Sequence, residues 1–224
     1  MKSDDSTLGH IWDELRHHVP FTAFSVCVAL ILLGILTMAF SLSKVQMSEC
    51  CHELFHVFHP VHILFSATAT TAMFWRHERK LLRAVIIGLI GSLGICGISD
   101  VFLPFLGGTV VSTEMEFHWC LIVHPMTIVP FAIFGVLLGL VSTDVVHGRG
   151  STIFSHSSHV FISTMATMLY LMAFGFTEWI PHIAETFLII FLGVMIPCCT
   201  SDIIFPLLLS KSINIMNECD KNAI

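Results

Sequence analysis

Cys51-His52-Glu53-Leu54-Phe55-His56-Val57-Phe58-His59-Pro60-Val61-His62 opens an apolar run that stays free of charge from Leu54 to Trp75. Four histidines fall within these twelve residues. On a helix each residue turns about 100°. His52, His56, His59, His62, Ser66 and Thr70 then share a stripe roughly 120° wide, while Leu54, Phe58, Leu64 and Phe65 point elsewhere. A single histidine in an apolar segment is usually a packing residue. A file of four, continued by two hydroxyls, reads as the wall of a polar path.

The surrounding chain is that of a polytopic membrane protein. Of its 224 residues, 55% are hydrophobic and 12% charged, and the mean hydropathy is +0.86. Nothing in this composition points to nucleic acid, and the bilayer is the expected surrounding. Most of the eight cysteines fall inside apolar runs, which argues against a disulfide framework.

Apolar runs of spanning length are expected near 20–42, 52–75, 82–106, 118–142, 158–180 and 185–209. The fold class expected is therefore an all-α integral membrane protein with six transmembrane helices. A short amphipathic interfacial helix precedes them, because Leu8, Ile11, Trp12 and Leu15 share one face. The organisation is an N-terminal segment 1–19, a three-helix unit 20–106, an external loop 107–117, a second three-helix unit 118–209 and a tail 210–224. Nine of the ten Lys and Arg residues fall on one side of these spans. The positive-inside rule makes that side cytoplasmic, with both termini on it, and a cell (inner) membrane is the expected location. Trp75, Trp119 and Trp179 fall at span ends, as interfacial anchors do.

Two rare patterns recur. His59-x-x-His62-x3-Ser66-x2-Ala69-Thr70 returns as His156-x-x-His159-x3-Ser163-x2-Ala166-Thr167, and Cys96-x-x-Ser99-Asp100-x3-Pro104 returns as Cys198-x-x-Ser201-Asp202-x3-Pro206. A three-span unit duplicated in one chain places its copies upside down relative to each other. Inverted repeats of this kind are a common plan of secondary transporters, with the site where the halves meet.

Asp100 and Asp202 are the carboxylates deepest in the expected spans. An ionised Asp at a helix centre costs roughly 2.5–3.5 kcal/mol on insertion scales, so such residues usually face a cavity or a partner. Imidazole and carboxylate together suit a divalent transition metal, zinc foremost. The metal ligands expected are His52, His56, His59 and His62 with Asp100 at the outer mouth, and His156 and His159 with Asp202 at the inner one. Ser66, Thr70, Ser99, His124, Ser163, Thr167 and Ser201 would line the path. Glu114, Glu116 and His118 form a rim cluster that would hand ions inward. The function read from this is alternating-access transport of a metal of the Zn/Fe/Mn/Ni/Co class, with protons as a candidate coupling ion. A homo-oligomer is compatible with the pattern.

Three other readings stay open. His52-Glu53-x-x-His56 resembles the HExxH motif of intramembrane zinc proteases, a resemblance of five residues. It implies zinc on His52 and His56, Glu53 as general base and Asp100 as third ligand. A membrane haem protein would take axial histidines from facing helices. A zinc-dependent lipid hydrolase would use Ser, His and Asp near the membrane surface. Gly88, Gly91, Gly94 and Gly97, and the Gly135/Gly139 pair, are expected to permit close helix approach.

Overall fold

The computed structural model describes residues 4–41, 46–111, 114–142 and 149–199. Side chains are described there except at 4–15, 17, 18, 77, 149–156, 198 and 199. Every element among the described residues is helical: α1 (Asp4–Ser41), α2 (Met47–His77), α3 (Leu81–Ile90), two π-helical turns (Gly91–Ile95 and Ile98–Phe102), α4 (Leu103–Val110), α5 (Cys120–Val123), α6 (Pro125–Ser142), α7 (Arg149–Ala173) and α8 (Ile183–Cys199). The interfacial segment expected ahead of the first span is helical too, but it runs unbroken through Pro20 into that span.

Three stretches among the described residues are long and apolar enough to cross a membrane: Val19–Ser41, Leu81–Val110 and Pro125–Ser142. They carry exposed side chains such as Phe24, Ile31, Leu82, Val110, Phe134 and Val141. Large apolar side chains of this kind need lipid or protein over them. The apolar part of α8, Ile183–Pro197, is shorter.

Helices α2 and α7 occupy the centre. α2 packs against α6 on one side and α7 on the other, and α1 and α8 flank α7. Every residue of α7 from Ser163 to Met172 is buried. The buried polar groups of these two helices (His59, His62, Ser66 and Thr70 on α2; His159, Ser163 and Thr167 on α7) face protein rather than lipid. The contact of α6 with α2 depends on small residues. A Cβ added at Gly135 would stand 2.5 Å from the Leu64 carbonyl oxygen, and one at Gly139 would stand 2.7 Å from that of Thr68. The Gly135/Gly139 pair thus permits the close approach expected of it. The glycines of the third span differ from one another: Gly97 faces the Trp119 ring, whereas Gly94 has open space beside it.

The π turns have a geometric consequence. Along Leu81–Val110 the buried side runs Ala84, Gly88, Ser92, Cys96, Asp100, Pro104, Gly108, every fourth residue, and the exposed side runs Leu82, Ile86, Ile90, Gly94, Ile98, Phe102, Leu106, Val110. In an ideal α-helix a stride of four drifts about 40° per step, roughly 240° from Ala84 to Gly108. Each π turn takes up about one extra residue and cancels roughly 100° of drift. Two of them return the stripe to within about 40° of its start, so Cys96 and Asp100 stay on the inward face. Pro104 helps set this up. It has no N–H to offer the Asp100 carbonyl, and the Leu103 N–H bonds the Ile98 carbonyl five residues back.

The Trp179 ring turns inward. It is 5% exposed, and its Nε1–H donates to Thr37 Oγ1 at 3.2 Å, which ties the turn after α7 to α1. Trp75 lies beside the basic connection, with the Arg79 guanidinium 5.4 Å from its ring centroid. In that connection Glu78 pairs with Lys80 at 2.6 Å and with Arg83 at 3.2 Å.

Candidate metal centre

The histidine file of α2 is divided between two groups. At the start of the helix, His52 and His56 stand one turn apart with ring centroids at 4.4 Å. His56 Nδ1–H donates to the His52 carbonyl at 2.8 Å, which leaves Nε2 as the lone-pair nitrogen. That Nε2 is buried and without a hydrogen-bond partner among the described residues, and the same holds for His118 Nε2.

Two other segments complete this outer group. His124 precedes Pro125, and a residue before proline is pushed out of the α region. Its backbone (φ −128°, ψ 55°) breaks the helix between α5 and α6. The expected run 118–142 is therefore interrupted, and the break brings the His124 ring to 4.9 Å from His56 and 5.6 Å from His118. His118 comes from the non-helical segment 114–119, which lies across the end of α7. The Glu116 N–H donates to the Phe174 carbonyl at 2.8 Å. The Tyr170 hydroxyl accepts from the His118 N–H and donates to the Glu116 carbonyl, both at 3.2 Å. The His118 ring stacks on Phe174 at 4.7 Å. Gly175, at φ +133°, lets the chain turn there; a Cβ on it would stand 2.5 Å from the Glu114 carbonyl oxygen.

One ligand atom each from His56, His118 and His124 lie within 4.8 Å of one another. Nitrogens bound to one tetrahedral zinc at about 2.0–2.1 Å stand about 3.3 Å apart, so the rings need to close by at most about 1.5 Å. Three imidazoles leave a fourth position open. Burial, followed by the neighbouring imidazoles of His56, His124, His52 and His59, lowers the His118 pKa to about 4. The ring is therefore neutral, as a metal requires, at any pH near 7.

The lower group is buried. His59 and His62 both donate Nδ1–H to the same oxygen of Asp100, at 2.8 and 2.6 Å. Ser163 donates to the other carboxylate oxygen at 3.4 Å and lies 3.3 Å from Ser99 Oγ. Thr167 donates to the Ser99 carbonyl at 3.5 Å. His159 meets His62 ring to ring at 4.9 Å. Asp100 is fully buried and takes two N–H donors on one oxygen, which suits an ionised carboxylate. Each imidazole thereby presents Nε2 away from the carboxylate. This is the arrangement of carboxylate–histidine–metal triads, where the acid orients the ligand and does not itself bind the ion.

Compared with protein-family models, with curated proteins and with solved structures, the chain matches none. The site therefore rests on its own geometry.

Of the residues singled out in the sequence, Asp100 gathers His59 and His62 but is not joined to His52 or His56 by any hydrogen bond of the structure. His124 joins the outer imidazoles rather than the hydroxyl-lined stretch. Ser66 and Thr70 are buried on α2, and Ser66 borders a tight cleft with His62, Cys96, Ser99 and His159. The side chain of His156, and Ser201 and Asp202 altogether, lie outside the described residues. Two contributors were not among the expected ligands. His118 belongs to the expected rim cluster, and the signal for including it among the ligands is a histidine six residues before His124-Pro125. Cys96 enters the sequence reading only through the repeat; its place four residues before Asp100, on the same helix face, is the signal for it.

Proposed function

We propose that the chain is a six-span membrane carrier for a divalent transition-metal cation, zinc foremost, built from two inverted three-helix repeats that move against each other around α2 and α7. The observation that carries this reading is the three-imidazole cluster of His56, His118 and His124. It stands at the head of the same helix that leads down to the buried His59/His62/Asp100 group. Imidazole nitrogen suits zinc, cobalt and nickel and is a poor ligand for magnesium or calcium.

Several features support the inverted plan. The packing of α2 on α6 has its counterpart in α7 on α1, that of α2 on α3 in α7 on α8, and that of α3 on α6 in α8 on α1. His62 and His159, which occupy equivalent places in the repeated pattern, meet each other. At about 1.5 Å per residue, α2 and α7 exceed the ~30 Å of bilayer hydrocarbon. With the basic connection 76–81 on the cytoplasmic side, the outer cluster opens to the opposite side and captures the ion there.

In the protease reading Glu53 must stand beside the ion. Its carboxylate is instead 83% exposed, and its partner is His52 Nδ1 at 3.9 Å. Zinc uptake into proteoliposomes, read with an internal fluorescent chelator, tests the proposal. His56→Ala/His118→Ala is expected to reduce uptake to that of empty vesicles, and Glu53→Gln to leave it unchanged. Uptake unaffected by the double substitution sinks the carrier reading; proteolysis abolished by Glu53→Gln replaces it.

A further inference from the structure

We propose that His62 Nε2, Cys96 Sγ and His159 form a second, deeper metal site with a sulfur ligand, which makes the conduit selective for thiophilic cations such as Zn²⁺, Co²⁺ and Cd²⁺ over Mg²⁺ and Mn²⁺. This deepens the transport reading and rests on it for the site's role.

Three separate elements border one cleft here. His62 comes from α2, Cys96 from the two residues between the π turns, and His159 from α7; all are buried. Asp100, 2.6 Å from Nδ1, sets the tautomer of His62, so Nε2 carries the lone pair. That nitrogen stands 3.9 Å from Cys96 Sγ. For a thiol–imidazole hydrogen bond this is the outer limit. For two atoms on one tetrahedral ion it is close to ideal, since a Zn–S bond of about 2.3 Å and a Zn–N bond of about 2.0–2.1 Å separate them by about 3.6 Å. Ser66 and Ser99 border the same cleft and offer oxygen for a fourth position. The two π turns are what keep Cys96 facing inward. Thiolate sulfur selects zinc-like ions, whereas magnesium and manganese prefer oxygen. On binding, the Sγ–H bond is replaced by a metal–sulfur bond, and the thiol proton is released to solvent.

The outer cluster holds nitrogen alone, so the two sites differ spectroscopically. With Co²⁺ added to the purified full chain in micelles, wild type should bind two equivalents, with a sulfur-to-cobalt charge-transfer band beside the visible d–d bands. Cys96→Ser should lose the charge-transfer band and one equivalent while keeping the d–d bands of the outer site, which also shows that the variant is folded. His118→Ala should lose the other equivalent and keep the charge-transfer band. No sulfur band in wild type, or a band that survives Cys96→Ser, overturns the proposal. Zinc uptake without a sulfur band removes the inner site and leaves the carrier; a sulfur band without uptake does the reverse.

Discussion

One face of α2 carries two pairs of histidines a turn apart, and their surroundings give them different chemistry. His52 and His56 stand among the imidazoles of His118 and His124 with the Phe55 and Phe174 rings beside them, and the Nε2 atoms of His56 and His118 are buried without hydrogen-bond partners among the described residues. His59 and His62 share a buried carboxylate, and sulfur lies near the Nε2 of His62. The upper group is thus imidazole without a buried carboxylate partner, whereas in the lower one Asp100 fixes which nitrogen of His59 and His62 faces away from it. Residue type is the same in both, and the spacings of four and three residues each keep a pair on one face. What differs is whether the facing element brings a carboxylate (the π-turned third span) or more imidazoles (segment 114–124).

The most damaging way to break this contrast is Asp100→Ala. It leaves two buried imidazole N–H groups facing a gap, and removing one partner of a buried pair costs about 3–5 kcal/mol. Denaturant unfolding in micelles should show a loss of that size. Cobalt binding at the outer cluster, measured under native conditions, should change little. Equal loss at both sites would mean that the two groups act as one.

The sequence carried more of this than its helices alone. The file on α2 was legible from its spacing, and Asp100 from its repeat and its Pro104. All-α architecture, apolar spans and the small-residue seat of α6 also follow from period and composition. The sharing of the histidines between two groups was not legible. It depends on Asp100 reaching α2 near His59 and His62, and the relative height of two helices is a matter of tertiary packing. The break at His124 was announced by Pro125, but an apolar run on both sides hid it. The inward turn of the Trp179 ring was not legible either, because position at a span end does not say whether a ring faces lipid or a neighbouring helix.

A smaller effect comes from Gly135→Leu. The added side chain would meet the Leu64 carbonyl and Ala67, and overpacking of this kind costs about 1–3 kcal/mol. Since α6 carries His124 to His56, cobalt affinity at the outer cluster should fall with stability. The inner charge-transfer band, whose ligands come from α2, α7 and the third span, should persist. Tyr170→Phe is gentler. It removes the hydroxyl that holds His118 and Glu116, at a net cost of about 0.5–1.5 kcal/mol per hydrogen bond. Partners that orient a ligand typically influence affinity by about 10–100-fold. Isothermal titration should find the weakening at the outer site alone.

The mildest test of the contrast is pH. His118 titrates at about 4 in the folded chain, against an ordinary value of 6.5. Between those values the unfolded chain binds more protons at this position than the folded one. The contribution of His118 to stability is therefore complete above about pH 6.5 and is lost as the pH falls toward 4. His52, His56 and His59 from α2 and His124 from the break before α6 face the same ring, and protonation of any of them adds repulsion. Tyr170 and Phe174 contribute no charge there at these pH values. Metal-free protein should consequently melt at lower temperature on acidification through this window, and His118→Phe should flatten the dependence. An unchanged slope in that variant would show that the burial of His118 does not govern the acid response of the outer group.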